Sequence, residues 1–299
     1  MKKILTTILI LALTMAVRAQ NDTLGLSKFT AIYHYECKTA NAAGETVTDT
    51  LLLAVQTANG ITKCFPYDSY TKQINNKSDI AHTYKAAQMH MGDVFINYPE
   101  GKITIQEELY PYRYQTDETY KRLKWTLGEK VDSVLGYTCL SATTHYRGKS
   151  WIALFTEEIP ASIGPWKLGG LPGLITKATD AEGVHTFTLC GLLNEEQPLI
   201  FTEHITWIVP EISATGGMKF VKQRVDYQKM SAEKFLKHKK KILGNPRYVQ
   251  DPTYYAPNAM DAFGYKETRM SGISKNQFNS VAGVIILTET HVYQPLELK

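Results

Sequence analysis

The segment FTAIYHYECK, residues 29–38, carries the pattern that decides the fold. Every odd position from Phe29 to Cys37 is apolar or aromatic, whereas the even positions are mostly polar. Successive side chains of a strand point to opposite faces of the sheet, so a period of two is typical of a half-buried strand. The segment therefore predicts a strand with one face in a hydrophobic core and one face toward solvent.

Similar alternating or β-branched segments continue along the chain. They lie at residues 48–56, 60–67, 93–97, 102–107, 137–146, 150–156, 174–179, 184–190 and 202–209. Turn-forming residues separate them at residues 58–60, 99–101, 147–149 and 180–183. Short connections of this composition are typical of hairpins. The middle of the chain is therefore predicted to be an antiparallel meander.

Two segments have a helical composition instead. The first spans residues 80–91 and the second spans residues 232–243. Ser231 is a candidate N-cap for the second helix, while Gly244 and Pro246 follow as stop signals. We expect these helices to lie beside the sheet.

Neither an internal repeat nor a linker divides the sequence, which predicts one domain over residues 20–299. A chain of this size buries about three quarters of its extended surface, enough for one large core. A sheet of so many strands must twist and curl. The predicted fold class is mainly β or α+β, with a large curved antiparallel sheet partly covered by one or two helices.

Residues 1–19 have the features of a secretory signal peptide. Lys2 and Lys3 precede an apolar run, and Val17-Arg18-Ala19 has the small-residue spacing of a cleavage site. The run is too short for a comfortable membrane span, and no cysteine follows it as a lipid acceptor. We expect an exported protein, periplasmic or associated with the outer membrane, that is not a lipoprotein.

The charge balance argues against a nucleic-acid partner. Loss of Lys2, Lys3 and Arg18 would reduce the 33 basic residues to 30, against 29 acidic residues, a net charge of +1. The sequence has no basic stripe interleaved with aromatic residues, a pattern that nucleic-acid binders usually carry. The basic run at residues 237–241 is interpreted as a solvated helix end.

The four cysteines, Cys37, Cys64, Cys139 and Cys190, are candidate disulfide partners, because an oxidising envelope would permit pairing. Four cysteines allow three connectivities, and the sequence does not choose among them. The alternatives are one or two structural bridges, or buried free thiols. The closest two are 27 residues apart, which matches no zinc pattern.

The stretch GPWKLGGLPGLI, residues 164–175, contains four glycines and two prolines but no nucleophile, carboxylate or histidine. It predicts a tight apolar corner. Pro172 presets the first central position of a β-turn, and Gly173 would supply the positive φ that a type II turn needs next. The predicted turn residues of this motif are Gly164, Pro165, Trp166, Gly169, Gly170, Leu171, Pro172, Gly173, Leu174 and Ile175.

Individual positions of the stretch have distinct expected roles. Leu171 precedes a proline and is pushed to extended geometry, and Leu174 begins a strand. Gly169 and Gly170 would let another backbone or a ligand approach closely. Lys167 is the one polar side chain able to orient a ligand.

The string GLPGLI, residues 170–175, is the motif for which the GLPGLI family of exported envelope proteins of Gram-negative bacteria is named. The chain resembles this family further in KWTL (124–127), LGYTC (135–139), RGK (147–149), EIP (158–160) and YQPLEL (293–298). Gln294 departs from the asparagine of many members. The resemblance implies an exported protein, often encoded near TonB-dependent outer-membrane transporters, and it implies no settled activity or catalytic residue.

The sequence offers no signature of catalysis. It has no Gly-x-Ser-x-Gly elbow, no His-Glu-x-x-His and no phosphate-binding glycine loop. Adjacent carboxylates such as Glu107 and Glu108 would point to opposite faces of a strand. Cys139 could act as a nucleophile only if folding brought a histidine to it. We predict no catalytic, cofactor-binding or metal-binding residues.

Two compositional clusters have competing interpretations. Met89-His90-Met91 has ligand types suited to Cu(I), but on a helix these side chains would fan out, which favours core filler with a surface histidine. The 18 tyrosines, dense at residues 110–114, suit either the rim of a binding surface or exposed strands.

Three functions follow as hypotheses. The leading one is a non-catalytic binding or accessory protein for an apolar or peptide-like ligand or for a TonB-dependent transporter, because apolar strand surface is abundant and few ionisable groups converge. A secreted hydrolase would instead show a pocket with a perturbed histidine or carboxylate. A purely structural envelope protein would show no pocket.

Overall fold

The computed structural model describes residues 22–41, 43–67, 83–84, 91–109, 112–212, 218–243, 286–287 and 292–298. These residues form a β-rich fold with one helix. The strands are β1 (Asp22–Ser27), β2 (Thr30–Ala40), β3 (Thr46–Ala58), β4 (Ile61–Pro66), β5 (Thr83–Tyr84), β6 (Asp93–Ile96), β7 (Lys102–Leu109), β8 (Tyr112–Thr119) and β9 (Thr126–Val134). They continue as β10 (Tyr137–Tyr146), β11 (Lys149–Thr156), β12 (Leu174–Asp180), β13 (His185–Leu193), β14 (Gln197–Phe201), β15 (His204–Ile212), β16 (Met218–Asp226), β17 (Gln228–Ser231) and β18 (Ile286–Leu287). The helix is α1 (Ala232–Leu243).

Twelve strands form one sheet in the order β17-β8-β7-β6-β4-β3-β2-β13-β12-β11-β10-β9. Its neighbouring strands are antiparallel except β17, which runs parallel to β8. Two-stranded sheets pair β1 with β14, β15 with β16, and β18 with β5. The predicted single β-rich domain with a large, mainly antiparallel sheet is therefore confirmed.

Strand β2 lies near the middle of the sheet and has the predicted alternation. Ala31, Tyr33, Tyr35 and Cys37 are buried, and they belong to the main core. We call the face that carries them the inner face. Ile32, on the opposite face, packs in a smaller cluster with Ala54 and Phe65, so part of that face is covered too.

Tight hairpins join the strands where the sequence predicted them. Asn59 and Gly60 between β3 and β4 have φ of 52° and 75°, and Arg147 and Gly148 between β10 and β11 have φ of 56° and 82°. Two consecutive positive φ values are what a type I′ hairpin turn requires.

The two helix predictions have different outcomes. Helix α1 forms over the predicted residues, and the Ser231 hydroxyl accepts a hydrogen bond from the Lys234 amide at 3.4 Å. Phe235 and its buried helical neighbours pack against Leu109 and Tyr114. The earlier helix is wrong at Thr83–Tyr84, which form β5 and pair with β18; residues 80–82 and 85–90 lie outside the described residues. None of the helical structure in the described ranges is long and apolar enough to span a membrane.

Candidate binding site

A cavity of about 80 Å³ lies between the inner face of the sheet, helix α1 and two irregular segments. One is the loop of residues 157–173 between β11 and β12, which we call the GLPGLI loop. The other is residues 292–298, which we call the strap. Apolar and aromatic lining residues include Tyr35, Met91, Val94, Ile105, Trp166, Phe235, Leu236, Tyr293 and Leu296. Polar lining residues include Glu107, Thr116, Lys167, Lys239, Gln294 and Glu297.

The GLPGLI loop is part of the core rather than a surface excursion. Trp166, Leu168 and Leu171 are buried in the main hydrophobic cluster. Burial of so much apolar surface fixes the loop against the sheet. The predicted tight apolar corner thus has the environment that its composition requires.

Polar side chains of the sheet and the preceding segment hold the backbone of this corner. The Trp125 indole donates to the Gly169 carbonyl at 2.9 Å, and the Tyr33 hydroxyl donates to the Ile175 carbonyl at 2.6 Å. The Trp166 amide donates to Cys64 Sγ at 3.1 Å. Buried backbone groups need such partners because water cannot reach them.

Gly173 of the corner has a role that differs from the predicted one, whereas Gly169 has the predicted role. Positive φ occurs at Trp166 (54°) and Gly170 (90°), so the assignment of left-handed geometry to Gly173 is wrong. A Cβ on Gly173 would instead lie 2.0 Å from the Thr156 carbonyl oxygen. Glycine is required there because β11 and the start of β12 approach too closely for a side chain. Gly169 follows its prediction of close backbone approach, since a Cβ there would lie 3.3 Å from the Ser162 oxygen.

Lys167 projects from this corner into a buried cluster of charges. Its Nζ lies 2.9 Å from a Glu118 carboxylate oxygen and also pairs with Glu297 of the strap. Arg147 pairs with the same two carboxylates, with Nε 3.6 Å from Glu297. Two cations and two anions therefore meet at one place, where the sequence led us to expect few convergent ionisable groups.

The electrostatics keep Lys167 charged although it is almost fully buried. Burial alone would lower its pKa, but the carboxylates of Glu297 and Glu118 more than offset this and raise the pKa above the ordinary lysine value. A buried ammonium group is tolerated only when paired in this way. Lys167 is consequently a fixed positive charge at the cavity wall.

A second buried ion pair lies on the helix side of the cavity. Lys239 of α1 pairs with Glu107 of β7. Burial would lower the pKa of Lys239, and the adjacent Glu107 carboxylate raises it instead. Glu108, the next residue, pairs with Arg113, so the two adjacent carboxylates have separate partners, as their alternation predicted.

The four cysteines are free thiols, with Cys37, Cys64 and Cys139 buried and Cys190 exposed. Of the two alternatives, bridges or free thiols, the structure has the second. Cys139 Sγ lies 3.1 Å from the Thr176 hydroxyl. Cys37 is the cysteine that lies opposite a histidine, His185, in the register of the described strands.

Sequence analysis missed the pairing of Cys37 with His185. These residues are direct register partners on β2 and β13, and Asp49 is the partner of Cys37 on β3. Cys37 and His185 are 148 positions apart, so only the strand order brings them together. No local motif signals that Asp49, Cys37 and His185 lie side by side across β3, β2 and β13.

The pKa values of Cys37 and His185 argue against catalysis by this pair. Burial raises the pKa of Cys37 to about 12, with Asp49 and Asp180 adding to the effect. Burial lowers the pKa of His185 to about 4, and Lys149 adds to that shift while Asp180 opposes it. At neutral pH both groups are uncharged, whereas a nucleophilic cysteine must be a thiolate.

The metal alternative for Met89-His90-Met91 stays a hypothesis. Met89 and His90 lie outside the described residues, and Met91 contributes to the cavity wall. Within the described part of the chain, no group of three or more His, Cys, Asp or Glu residues is placed to hold a metal ion.

Comparisons with known proteins assign no family to the chain. No family model matches the sequence, and no curated protein matches it. Two similar solved structures are those of PNGF-II in space group P21, with a TM-score of 0.45 and 13% identity, and in space group C2, with a TM-score of 0.41 and 14% identity. The alignments cover 72% and 71% of this chain, which spans 33% of the length of either structure.

Proposed function

We propose that the protein is an exported, non-catalytic binding protein of the cell envelope, and that it accommodates part of a peptide-like ligand in the cavity beneath α1. The observation that carries the proposal is the lining of that cavity. Aromatic and aliphatic side chains share its wall with the Lys167–Glu297 and Lys239–Glu107 pairs. Pockets that combine an apolar wall with a few fixed polar groups are typical of ligand sites.

The size of the cavity favours a peptide-like ligand over an apolar cargo. Pockets for drug-sized ligands have volumes of roughly 300–1,000 Å³, and the cavity here has about 80 Å³. That volume fits one small side chain or a few water molecules, not an acyl chain. A peptide could insert a single side chain while its backbone stays outside.

A binding role is also more consistent with the ionisable groups than a hydrolase is. The Cys37 thiol and the His185 imidazole are both buried and neutral at pH 7. Lys167 and Lys239 are neutralised by carboxylates rather than poised to exchange a proton. The groups that converge therefore fix charge at the cavity wall.

Export and the partner rest on the sequence. Residues 1–19 and the resemblance to the GLPGLI family support an envelope location and an accessory role beside a TonB-dependent transporter.

The test is affinity selection with a synthetic library of random hexapeptides, read by mass spectrometry, with palmitic acid offered separately. Ala232→Leu adds volume at the cavity wall with a good helix former. Gln228→Leu adds an apolar side chain at an exposed position outside the cavity and serves as the matched control. We expect peptide enrichment by the wild type and Gln228→Leu, and its loss in Ala232→Leu.

Two results would contradict the proposal. One is stoichiometric retention of palmitic acid without peptide enrichment, which would indicate an apolar cargo. The other is enrichment that Ala232→Leu leaves unchanged, which would place binding outside the cavity.

A further inference from the structure

The strap is held across the inner face as an extended peptide would be held by a binding protein. At its start, the Val292 amide donates to the Ala40 carbonyl at 2.8 Å, and the Thr39 hydroxyl donates to the Val292 carbonyl at 2.5 Å. At its end, the Leu298 amide donates to the Arg147 carbonyl at 2.9 Å. These bonds use the backbone of the strap, so a peptide of another sequence could make them.

Side chains of the strap provide selectivity at the same place. Tyr293 packs with the cluster of Leu109, Tyr114 and Phe235 beneath α1, and Leu296 packs against the main core. Glu297 pairs with Lys167 and Arg147. Peptide-binding domains divide their work similarly, with backbone hydrogen bonds for affinity and side-chain pockets for specificity.

The charge of the site depends on Glu297. With the strap in place, Lys167 and Arg147 face Glu118 and Glu297, and the charges balance. Without it, two cations would face the single carboxylate of Glu118. The exposed site would then favour a ligand that returns a carboxylate to the position of Glu297, because unpaired buried cations are strongly destabilising.

We propose that the strap is a resident occupant of a peptide-binding groove, and that an extended acidic segment of a partner protein replaces it there. The segment carries an aromatic residue four positions before its acidic residue, as Tyr293 precedes Glu297. It also carries a leucine immediately before the acidic residue, as Leu296 does here. This inference rests on the proposed function and specifies its ligand class. Replacement of the strap also explains how a peptide reaches a cavity whose wall includes Tyr293, Gln294, Leu296 and Glu297.

The experiment measures fluorescence anisotropy of a labelled synthetic peptide, VYQPLEL, with the sequence of residues 292–298. Full-length Glu297→Ala retains the groove cations but has a weakened strap. We expect this variant to bind the peptide at least about tenfold more tightly than the wild type does, because its own strap competes less. A peptide with Gln in place of the Glu297 residue should bind the variant at least about tenfold more weakly than VYQPLEL.

The neutral peptide is the matched control, since it needs no further change in the protein. Equal binding of the two peptides would overturn the inference. Absence of binding by Glu297→Ala would overturn it too, provided that this protein unfolds cooperatively when its melting is followed by circular dichroism. Light scattering could instead show that the wild type forms dimers and that Glu297→Ala abolishes them. This result would assign the groove to a second copy of the chain and would also overturn the inference. If Ala232→Leu abolishes the binding of library hexapeptides, but VYQPLEL does not bind, the proposed function stands and this inference alone fails.

Discussion

At the scale of single residues, the GLPGLI motif is a set of steric solutions rather than a reactive group. Gly170 has a positive φ, whereas Gly173 has no side chain because the Thr156 carbonyl oxygen lies where its Cβ would be. The sequence indicated that glycine was needed but not for which reason. A type II turn and a close approach have the same local composition, and only the position of β11 distinguishes them.

Gly173→Ala should lower the free energy of unfolding by roughly 2–3 kcal/mol, because overpacking forces the backbone of β11 and β12 apart. Gly191→Ala in β13 is the control, since its Cβ would meet Ile32 at an ordinary 3.8 Å. Urea unfolding of both variants is the measurement. Equal stabilities for the two would contradict the steric account.

The thiols should differ sharply in reactivity. Cys37, Cys64 and Cys139 are buried, and burial raises the pKa of Cys37 and of Cys64 to about 12. A thiol reagent at pH 8 should therefore modify one equivalent per native protein, at the exposed Cys190, and four after denaturation. Rapid modification of Cys37 in the native state would show that the strap side of the sheet is open.

At the scale of elements, the sequence predicted β2, β10 and α1 well because each carries a strong local pattern. Strand β9 was missed because its residues TLGEKVDSV are mostly polar, and they lie at the edge of the sheet. Its turn to β10 uses Leu135 at a φ of 50° followed by Gly136, a pair less typical of hairpins than Asn-Gly. Local pattern could not predict which strands become neighbours.

The contacts of His185 on β13 with residues of β2 and β12 make the stability of the fold depend on pH. The Tyr35 hydroxyl and His185 Nδ1 share a hydrogen bond of 2.9 Å, and the His185 amide donates to Asp180, which is paired with Lys149. Burial lowers the His185 pKa to about 4, below its value in the unfolded chain. The unfolded chain therefore binds the proton first as pH falls.

Folding stability should consequently be full above about pH 6.5 and decline between about pH 6.5 and pH 4, by roughly 3 kcal/mol. Below that window the contribution of His185 is lost and its slope ends. His185→Gln should be less stable at pH 7 but lose this part of the pH dependence. Parallel slopes for wild type and variant in urea titrations at pH 7, 6, 5 and 4.5 would refute the assignment to His185.

At the scale of the whole molecule, two of the sequence strings that resemble the GLPGLI family, residues 170–175 and residues 293–298, belong to segments joined across the cavity. The loop contributes Lys167 and the strap contributes Glu297. Sequence reasoning identified both strings and the polar character of Lys167, but not their contact, because they are more than 100 residues apart. The candidate site was therefore foreseen in its parts and missed as an assembly.

The central claim is that the loop and the strap form one energetic unit through Lys167 and Glu297. A double-mutant cycle of Lys167→Met and Glu297→Gln, followed by urea unfolding at pH 7, tests it most directly. Either single change leaves an unbalanced charge in the buried cluster that Lys167 and Glu297 form with Glu118 and Arg147, and it should reduce stability by about 3 kcal/mol. The double variant should lose less than the two singles together, with a coupling of roughly 1–3 kcal/mol. Effects that add to within about 0.5 kcal/mol would contradict the claim.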